Sequence, residues 1–385
     1  MGLIALVLAA CGSGDAPVAG EPGDPLPGLR EPEMEDFRAG AALFNRVFSP
    51  EEGVGPLFNE NQCSACHTSP APGGTTGFER VVKATRFEAP GTCDLLAHEG
   101  GENVRTQSTP GLRALGIERE RIPPSATEIG RFTTPFLFGL GLVEAIPDET
   151  ILAREDPDDA DGDGISGRAG RTADGRLGRF GRKAELATIP EFNDTALGFE
   201  MGLTTPSRPE EVGLDGQPIP PGADPAPDPE VDERSTELLA AFVRFLAPPR
   251  PSPARSPAHG DTLAAGAGLF EAIGCADCHV PAMRTGRSAI PAMDRKTVAL
   301  YSDLLLHDLG PGLAGVCGVG ATPSETRTEM LMGLGHRDIF LHDGRATTLE
   351  DAILAHGGEA QHARDAFAAL PWLRQQYVIW FLESL

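Results

Sequence analysis

Two copies of the pattern Cys-x-x-Cys-His could carry chemistry in this chain of 385 residues, Cys63-Ser64-Ala65-Cys66-His67 and Cys275-Ala276-Asp277-Cys278-His279. Two residues between the cysteines place both sulfurs on one short turn. There they can add across the two vinyl groups of a haem while the adjacent histidine takes an axial position on the iron. Four thiolates could instead hold zinc, but zinc would leave both histidines unexplained. The motifs therefore predict two covalently attached c-type haems, with His67 and His279 as proximal iron ligands.

The segments around these motifs recur in the same order, which indicates two related domains. The paired segments are Gly40–Phe44 with Gly266–Phe270, Thr134–Gly141 with Thr328–Gly335, and the apolar helical patterns Leu238–Leu246 with Tyr377–Leu382. Strand signals are sparse, so we predict a mainly α fold. It consists of two cytochrome c-like domains, 36–247 and 259–385, each with one covalent haem. Insertions enlarge the first domain, and a Pro-rich linker at 248–258 joins it to the second.

The N-terminal segment predicts export. Residues 1–11 form a short apolar stretch, and Leu8-Ala9-Ala10-Cys11 resembles a bacterial lipobox in which Cys11 is lipidated. An ordinary secretory signal or a buried Cys11 remains an alternative. Residues 12–35 contain little apolar surface and predict a flexible tether. We therefore expect a periplasmic or cell-envelope protein whose membrane contact is an N-terminal lipid anchor.

The excess of acidic residues limits the kinds of molecule that the protein can bind. There are 56 acidic and 32 basic residues, for a formal net charge of −24. Nucleic-acid binding needs a basic surface, so this class of function is excluded. The acidic surface favours a basic redox partner, or it is simply a solvated surface.

Several longer segments resemble one protein family. The segment Phe340–Ile353 is similar to the signature of bacterial di-haem cytochrome c peroxidases and MauG-type enzymes. Four further segments resemble one branch more closely, the di-haem oxidoreductases once described as thiol oxidoreductases. These are Gly139–Pro147, Asp161–Arg168, Leu304–Gly310 and His356–Ala360. The resemblance covers about 36–385 and implies a haem-dependent oxidoreductase.

The resemblance also implies roles for individual residues. His356 stands where the relatives carry the distal Met or Tyr ligand of the C-terminal haem, which implies bis-His coordination with His279 and an electron-transferring iron. His342 is expected near the haems, as a catalytic residue or as a hydrogen-bond partner of a haem propionate or a backbone group. The N-terminal haem is the one that meets peroxide in the relatives, and Glu144 is the best candidate for the distal acid that moves a proton there. A structural role for His356, His342 or Glu144 stays open.

Two further features do not belong to the haem motifs. Cys93 and Cys317 are left over, and in an oxidising compartment they predict a disulfide, with a free reactive thiol as the alternative. Asp159, Asp161 and Asp163 alternate before a turn glycine, as calcium loops do. A calcium ion or a merely solvated acidic loop would explain them.

The leading functional prediction is an exported, peroxidase-like haem enzyme. The C-terminal haem would relay electrons, and the N-terminal haem would react with peroxide or another oxidant. The electron donor would be a small redox protein or, as in MauG-type chemistry, a side chain of a partner protein. Two alternatives remain: a di-haem electron carrier without catalysis, and a thiol oxidase that would need Cys93 or Cys317 unpaired.

Overall fold

The computed structural model describes residues 16–76, 79–88 and 92–385, so the predicted lipidation site Cys11 lies outside the described residues. The helices are α1 Glu31–Phe44, α2 Cys63–Cys66, α3 Pro110–Ala114, α4 Leu140–Glu144, α5 Asp148–Leu152, α6 Ile189–Ala196, α7 Glu233–Phe245, α8 Pro257–Ala272, α9 Cys275–Cys278, α10 Leu349–Leu354, α11 Gln361–Ala369 and α12 Trp372–Glu383. The strands are β1 Leu57–Phe58, β2 Glu79–Glu88, β3 Thr92–Asp94, β4 Gln107–Ser108, β5 Glu128–Thr133, β6 Met283–Arg284, β7 Thr297–Val298, β8 Leu306–Asp308 and β9 Glu325–Arg327. Helix accounts for 33% and strand for 14%, so helix predominates but much of the chain lies in loops and turns.

Two of the long helices, α7 and α8, begin at residues whose side chains cap the helix. Asp232 accepts a hydrogen bond from the Ser235 N–H and caps α7. Ser256 accepts one from the His259 N–H and caps α8, where Pro257 follows at the first helical position. These side chains satisfy N–H groups that have no partner within the helix. Local sequence therefore determines where the main helices begin.

Two helix pairs, α1 with α7 and α8 with α12, cross in the same way. A Cβ added at Gly40 would lie 2.0 Å from the Leu238 carbonyl oxygen, and one at Gly266 would lie 2.0 Å from the Tyr377 carbonyl oxygen. Each crossing is therefore so close that only glycine fits. The two glycines occupy the same place in the repeated segments recognised in the sequence. The repeat is thus reproduced in three dimensions.

A second close approach recurs after each haem motif. A Cβ at Gly141 would lie 1.9 Å from the Arg244 carbonyl oxygen, and one at Gly335 would lie 2.3 Å from that of Glu383. The two Gly-Leu-Gly segments therefore pack against the ends of α7 and α12, respectively. These glycines hold the closing helix of each half against the segment that follows the haem motif.

The apolar core does not divide at the predicted linker. The larger cluster of buried side chains includes Phe44 and Phe242 from the first half and Leu300 and Met332 from the second. A smaller cluster around Phe270 and Phe381 belongs to the second half alone. The two halves therefore share much of their buried apolar surface.

A three-stranded antiparallel sheet occupies an insertion of the first half. Its strand order is β3-β2-β5. The sequence prediction of a mainly α fold did not anticipate this sheet. The reason is visible in β2, where only Ala84 and Thr85 are fully buried among the side chains described, so the strand lacks a regular apolar alternation.

The segment before α1 differs from the predicted flexible tether. Leu26 is buried, and its N–H donates to the Phe245 carbonyl oxygen at 2.7 Å. The Gly20 N–H donates to the Pro248 carbonyl oxygen at 2.9 Å, and α1 already begins at Glu31. The end of α7 and the start of the Pro-rich linker supply these backbone partners, which the composition of the segment does not reveal. Within the described residues, no helix combines the length and apolarity that crossing a membrane requires.

Candidate functional site

The two Cys-x-x-Cys-His motifs fold as matching single-turn helices, α2 and α9. The His67 N–H donates to the Cys63 carbonyl oxygen at 3.1 Å, and the His279 N–H donates to that of Cys275 at 2.9 Å. The structure forms the predicted disulfide between Cys93 and Cys317, and none of the four motif cysteines is disulfide-bonded. Both sulfurs of each motif therefore lie on one turn beside the histidine, the arrangement that thioether attachment of haem requires.

The three histidines predicted as iron ligands share one hydrogen-bond pattern. Nδ1 of His67 lies 3.0 Å from the Gly74 carbonyl oxygen, Nδ1 of His279 lies 3.0 Å from that of Tyr301, and Nδ1 of His356 lies 2.8 Å from that of Ala352. A carbonyl oxygen can only accept, so Nδ1 carries the proton in each case and the Nε2 lone pair is left for a metal.

Burial keeps these imidazoles neutral. It lowers the pKa of His67 and of His279 to about 4 and also lowers the pKa of His356. A neutral imidazole is the form that binds a metal ion. The tautomer and the charge of all three side chains therefore suit axial coordination of iron.

An aromatic ring from the preceding long helix packs near each proximal histidine. The ring centroids of Phe44 and His67 are 6.0 Å apart, and those of Phe270 and His279 are 6.4 Å apart. Phe44 lies on α1 and Phe270 lies on α8, and the two residues occupy equivalent positions in the repeat. The helix crossings described above therefore also set the surroundings of the two histidines.

A cavity of about 390 Å³ opens beside the second motif. The cavity is lined by three residues of the second motif, Cys275, Cys278 and His279. His356, in the segment after α10, also lines it. The volume falls in the ~300–1,000 Å³ range of cofactor sites. Attachment thiols, a proximal histidine and a second neutral histidine thus meet at one apolar cavity, and these residues fit a c-type haem.

The comparison with protein families agrees with this geometry. A family model described as "Di-haem oxidoreductase, putative peroxidase" matches residues 126–385. The chain belongs to the di-haem oxidoreductase family. The match includes the second haem motif, whereas the first lies N-terminal to it. No curated protein matches the chain. Among solved structures, hydrazine synthase from Kuenenia stuttgartiensis, pressurised with 20 bar xenon, is similar at 16% identity over 97% of each chain, with a TM-score of 0.43.

The di-haem oxidoreductase also holds a buried ionic group against the second motif. His307 contacts Asp303 through Nε2 and Glu359 through Nδ1, each at 2.8 Å, and its Nδ1 lies 3.8 Å from Cys278 Sγ. Despite burial, these partners raise the pKa of His307 to about 12, so it is an imidazolium. Sequence reasoning missed Asp303 as a partner. The family-like segments that contain His307 and Glu359 were the sequence signal that could have pointed to this ionic group.

His342 lines the same cavity as His279 and His356. Its ring packs 5.8 Å from that of Phe132, and its carbonyl oxygen accepts the Thr133 N–H at 2.9 Å. Burial lowers the pKa of His342 to about 4. The structure therefore brings His342 to the C-terminal cavity and ties it to β5 of the first half.

Glu144 has structural partners. One carboxylate oxygen accepts the Ile189 N–H at 2.8 Å, at the start of α6, and the other accepts from Arg244 Nε at 2.8 Å, on α7. These contacts fasten α4 to α6 and α7. The role of Glu144 as a distal acid stays a prediction.

The acidic loop brings together a group of carboxylates that differs from the group predicted to bind calcium. Carboxylate oxygens of Asp156, Asp159 and Asp161 lie within 4.8 Å of one another. Asp163 instead accepts the Ile165 N–H at 2.8 Å and lines the C-terminal cavity. Backbone N–H groups of the loop occupy oxygens of Asp156 and Asp159 as well. Calcium binding stays a prediction, with Asp156 in the place of Asp163.

Proposed function

We propose that this di-haem oxidoreductase is an exported, peroxidase-like enzyme with one covalent haem at each Cys-x-x-Cys-His motif. The observation that carries the proposal is the cavity at which His279 and His356 meet, each with Nδ1 bound to a backbone carbonyl. Two neutral histidines at one cavity favour a six-coordinate, electron-transferring site. The C-terminal site is therefore assigned to electron relay, and the oxidant is assigned to the site of His67.

Bound haem supplies an iron that exchanges single electrons and, where a coordination position is open, reacts with peroxide. Reduction of hydrogen peroxide to two water molecules consumes two electrons and two protons, so a two-haem chain can store what one turnover needs. A small redox protein, or a partner side chain as in MauG-type chemistry, would supply the electrons. The net charge of −24 favours a basic surface on that donor.

Export is supported by the disulfide between Cys93 and Cys317. Structural disulfides persist in oxidising compartments such as the periplasm. The protein is therefore assigned to the periplasm or cell envelope, with Cys11 as its lipid attachment site. The same disulfide disfavours thiol oxidation by Cys93 or Cys317, because both sulfurs are already bonded.

One observation favours a second function, electron transfer without catalysis. The Met201 sulfur lies 3.8 Å from Cys63 Sγ, so a thioether ligand is available near the first motif. Coordination by His67 and Met201 would close the first iron to peroxide.

Electron paramagnetic resonance and visible spectra of the protein matured with both haems separate these functions. They are recorded in the ferric and the one-electron-reduced states. A high-spin ferric signal that changes with peroxide or cyanide supports the peroxidase-like enzyme. Two low-spin haems in both states, with no reaction with peroxide, would leave an electron carrier.

Replacement of His356 tests the assignment of the relay site. We expect His356→Ala to convert one low-spin ferric signal to high spin, because one strong axial ligand is lost. His336→Ala removes an exposed histidine and should leave both signals unchanged. Identical spectra for the two variants would rule out His356 as a ligand.

A further inference from the structure

Three guanidinium groups surround one carboxylate at the wall of the C-terminal cavity. Arg182 Nη1 lies 2.7 Å from a Glu329 carboxylate oxygen, Arg337 Nη1 and Nη2 each lie 3.3 Å from the other oxygen, and Arg327 Nη2 lies 3.5 Å away. All four side chains line the cavity that contains His279 and His356. We call Arg182, Arg327, Arg337 and Glu329 the arginine cluster.

The arginine cluster has more positive than negative charge. Although burial acts in the other direction, the three guanidinium groups lower the pKa of Glu329 to about 2, so it is ionised. Three cations against one anion leave an excess of two positive charges. Glu185 and Asp303 also act on Arg327. Glu185 acts on Lys183 as well, and Asp303 is engaged by His307. Glu325 is engaged by Arg168. Charge sequestered from water is unfavourable unless an opposite charge accompanies it. Glu329 therefore balances only part of the positive charge of the cluster.

The Nε atom of Arg337 lacks a hydrogen-bond acceptor. This atom is buried, and the Nη atoms make only long contacts to Glu329. The guanidinium stacks over the Phe136 ring at 4.3 Å, which holds its plane in place. Buried N–H donors nearly always have an acceptor. A planar, fixed guanidinium with donors to spare is suited to a carboxylate, which accepts two parallel N–H bonds.

We propose that the arginine cluster receives the propionate carboxylates of the haem attached at Cys275 and Cys278. This inference rests on the proposed haem at the second motif. The two propionates are the only charged substituents of a haem, and their two negative charges match the excess of the cluster. Arg182 and the Phe136 that orients Arg337 come from the first half of the chain. The cluster therefore links the cofactor of the second half to the packing of the first.

The cluster has a consequence for the haem potential. Reduction of a ferric haem adds one electron, so positive charge beside the haem favours the reduced form and raises the midpoint potential. Removing one arginine lowers the potential and alters the hydrogen bonding of a propionate. Arg337→Gln is the primary variant, and Arg337→Lys keeps the charge but not the planar fork. Arg38→Gln is the matched control, because Arg38 is exposed on α1 and is not among the residues that line the cavity.

The test combines spectroelectrochemistry of the C-terminal haem with resonance Raman spectra of the propionate bending modes. Arg337→Gln is expected to shift the midpoint potential to a more negative value and to change the propionate modes. Arg337→Lys is expected to restore the potential but not the modes. Arg182→Gln replaces Arg337→Gln in the test if Arg337→Gln does not retain haem. The same changes in midpoint potential and propionate modes are expected for Arg182→Gln. A potential and Raman spectrum equal to those of Arg38→Gln, in a variant that retains both haems, would overturn the proposal.

These readouts do not depend on turnover. An electron carrier that does not react with peroxide would still show the shifts in potential, so the failure of the peroxidase-like function leaves the arginine cluster testable. If Cys275 and Cys278 carry no haem, the proposed function and the role of the arginine cluster are both wrong.

Discussion

At the scale of single residues, the site depends on what each imidazole nitrogen contacts. A backbone carbonyl holds Nδ1 of His67, His279 and His356, which leaves each Nε2 for iron. His307 is the opposite case, because carboxylates occupy both of its nitrogens. It is therefore an anchor for the loop around Cys278 and has no lone pair for a metal. The same residue type thus serves two roles, separated by hydrogen-bond partners.

Glu211 provides a test of residue-level electrostatics. Carboxylate oxygens of Glu211, Asp224, Asp228 and Glu230 lie within 4.8 Å of one another. Burial, followed by the charges of Glu230, Asp224 and Asp228, raises the pKa of Glu211 to about 9. The folded protein therefore favours protonated Glu211. This contribution to stability is complete below pH 4.5, the ordinary pKa of the group, and is lost as the pH rises towards 9.

We expect Glu211→Gln to raise the free energy of unfolding at pH 8 by about 1–3 kcal/mol. The neutral amide removes the free-energy cost of protonating the carboxyl group at that pH, and solvent screening limits the gain. The gain should vanish near pH 4.5. Thermal unfolding in EDTA, followed by circular dichroism, measures both. Glu210→Gln at the exposed neighbour should change stability by less than ~0.5 kcal/mol. A gain that is the same at both pH values would contradict the assigned pKa.

At the scale of elements, two crossings of long helices organise the molecule. The crossing of α8 and α12 places Phe270 near His279, as the crossing of α1 and α7 places Phe44 near His67. The helices and their apolar faces were predictable, because a 3.6-residue period is visible in the sequence. The glycine that lies at each crossing was not predictable, because the partner helix lies far along the chain. The β3-β2-β5 sheet was missed because β2 lacks a regular alternation of apolar and polar residues.

Gly266 and Gly268 lie on the same helix and form a matched pair. A Cβ at Gly266 would lie 2.0 Å from the Tyr377 carbonyl oxygen, whereas a Cβ at Gly268 has no atom within 4 Å. We expect Gly266→Ala to lower the free energy of unfolding by about 1–3 kcal/mol through overpacking. Gly268→Ala should raise it by about 0.5–1 kcal/mol, because alanine is the better helix former. Guanidinium unfolding followed by circular dichroism measures both, and equal effects would refute the close crossing.

At the scale of the whole molecule, the two halves are joined by more than the linker. They share the larger core, Arg182 of the first half contacts Glu329 of the second, and a disulfide joins Cys93 to Cys317. Cys93 lies on β3, and the Cys317 N–H donates to Thr85 Oγ1 on β2 at 3.2 Å. The inserted sheet is therefore fastened to the second half.

We expect the double variant Cys93→Ala/Cys317→Ala to lose about 2–5 kcal/mol of unfolding free energy, because the disulfide closes a long loop. The sequence separation it closes is 224 residues. Guanidinium unfolding with and without a thiol reductant provides the measurement. The wild-type protein should approach the double variant when reduced, since thioether bonds to haem resist such reductants. A wild type that is equally stable in both conditions would show that the link contributes nothing.

The amino-acid sequence by itself predicted covalent haem attachment and revealed the repeat. Cys-x-x-Cys-His is a local motif, and local spacing alone places two thiols and an imidazole on one turn. His356 was predicted as an iron ligand because a family pattern aligns it, and the match over 126–385 confirms the family. The tertiary structure decided which distant groups meet: the carbonyl behind each histidine, the carboxylates around His307, and the arginines around Glu329. Such contacts join residues far apart in the chain, and only the packing of helices brings them together.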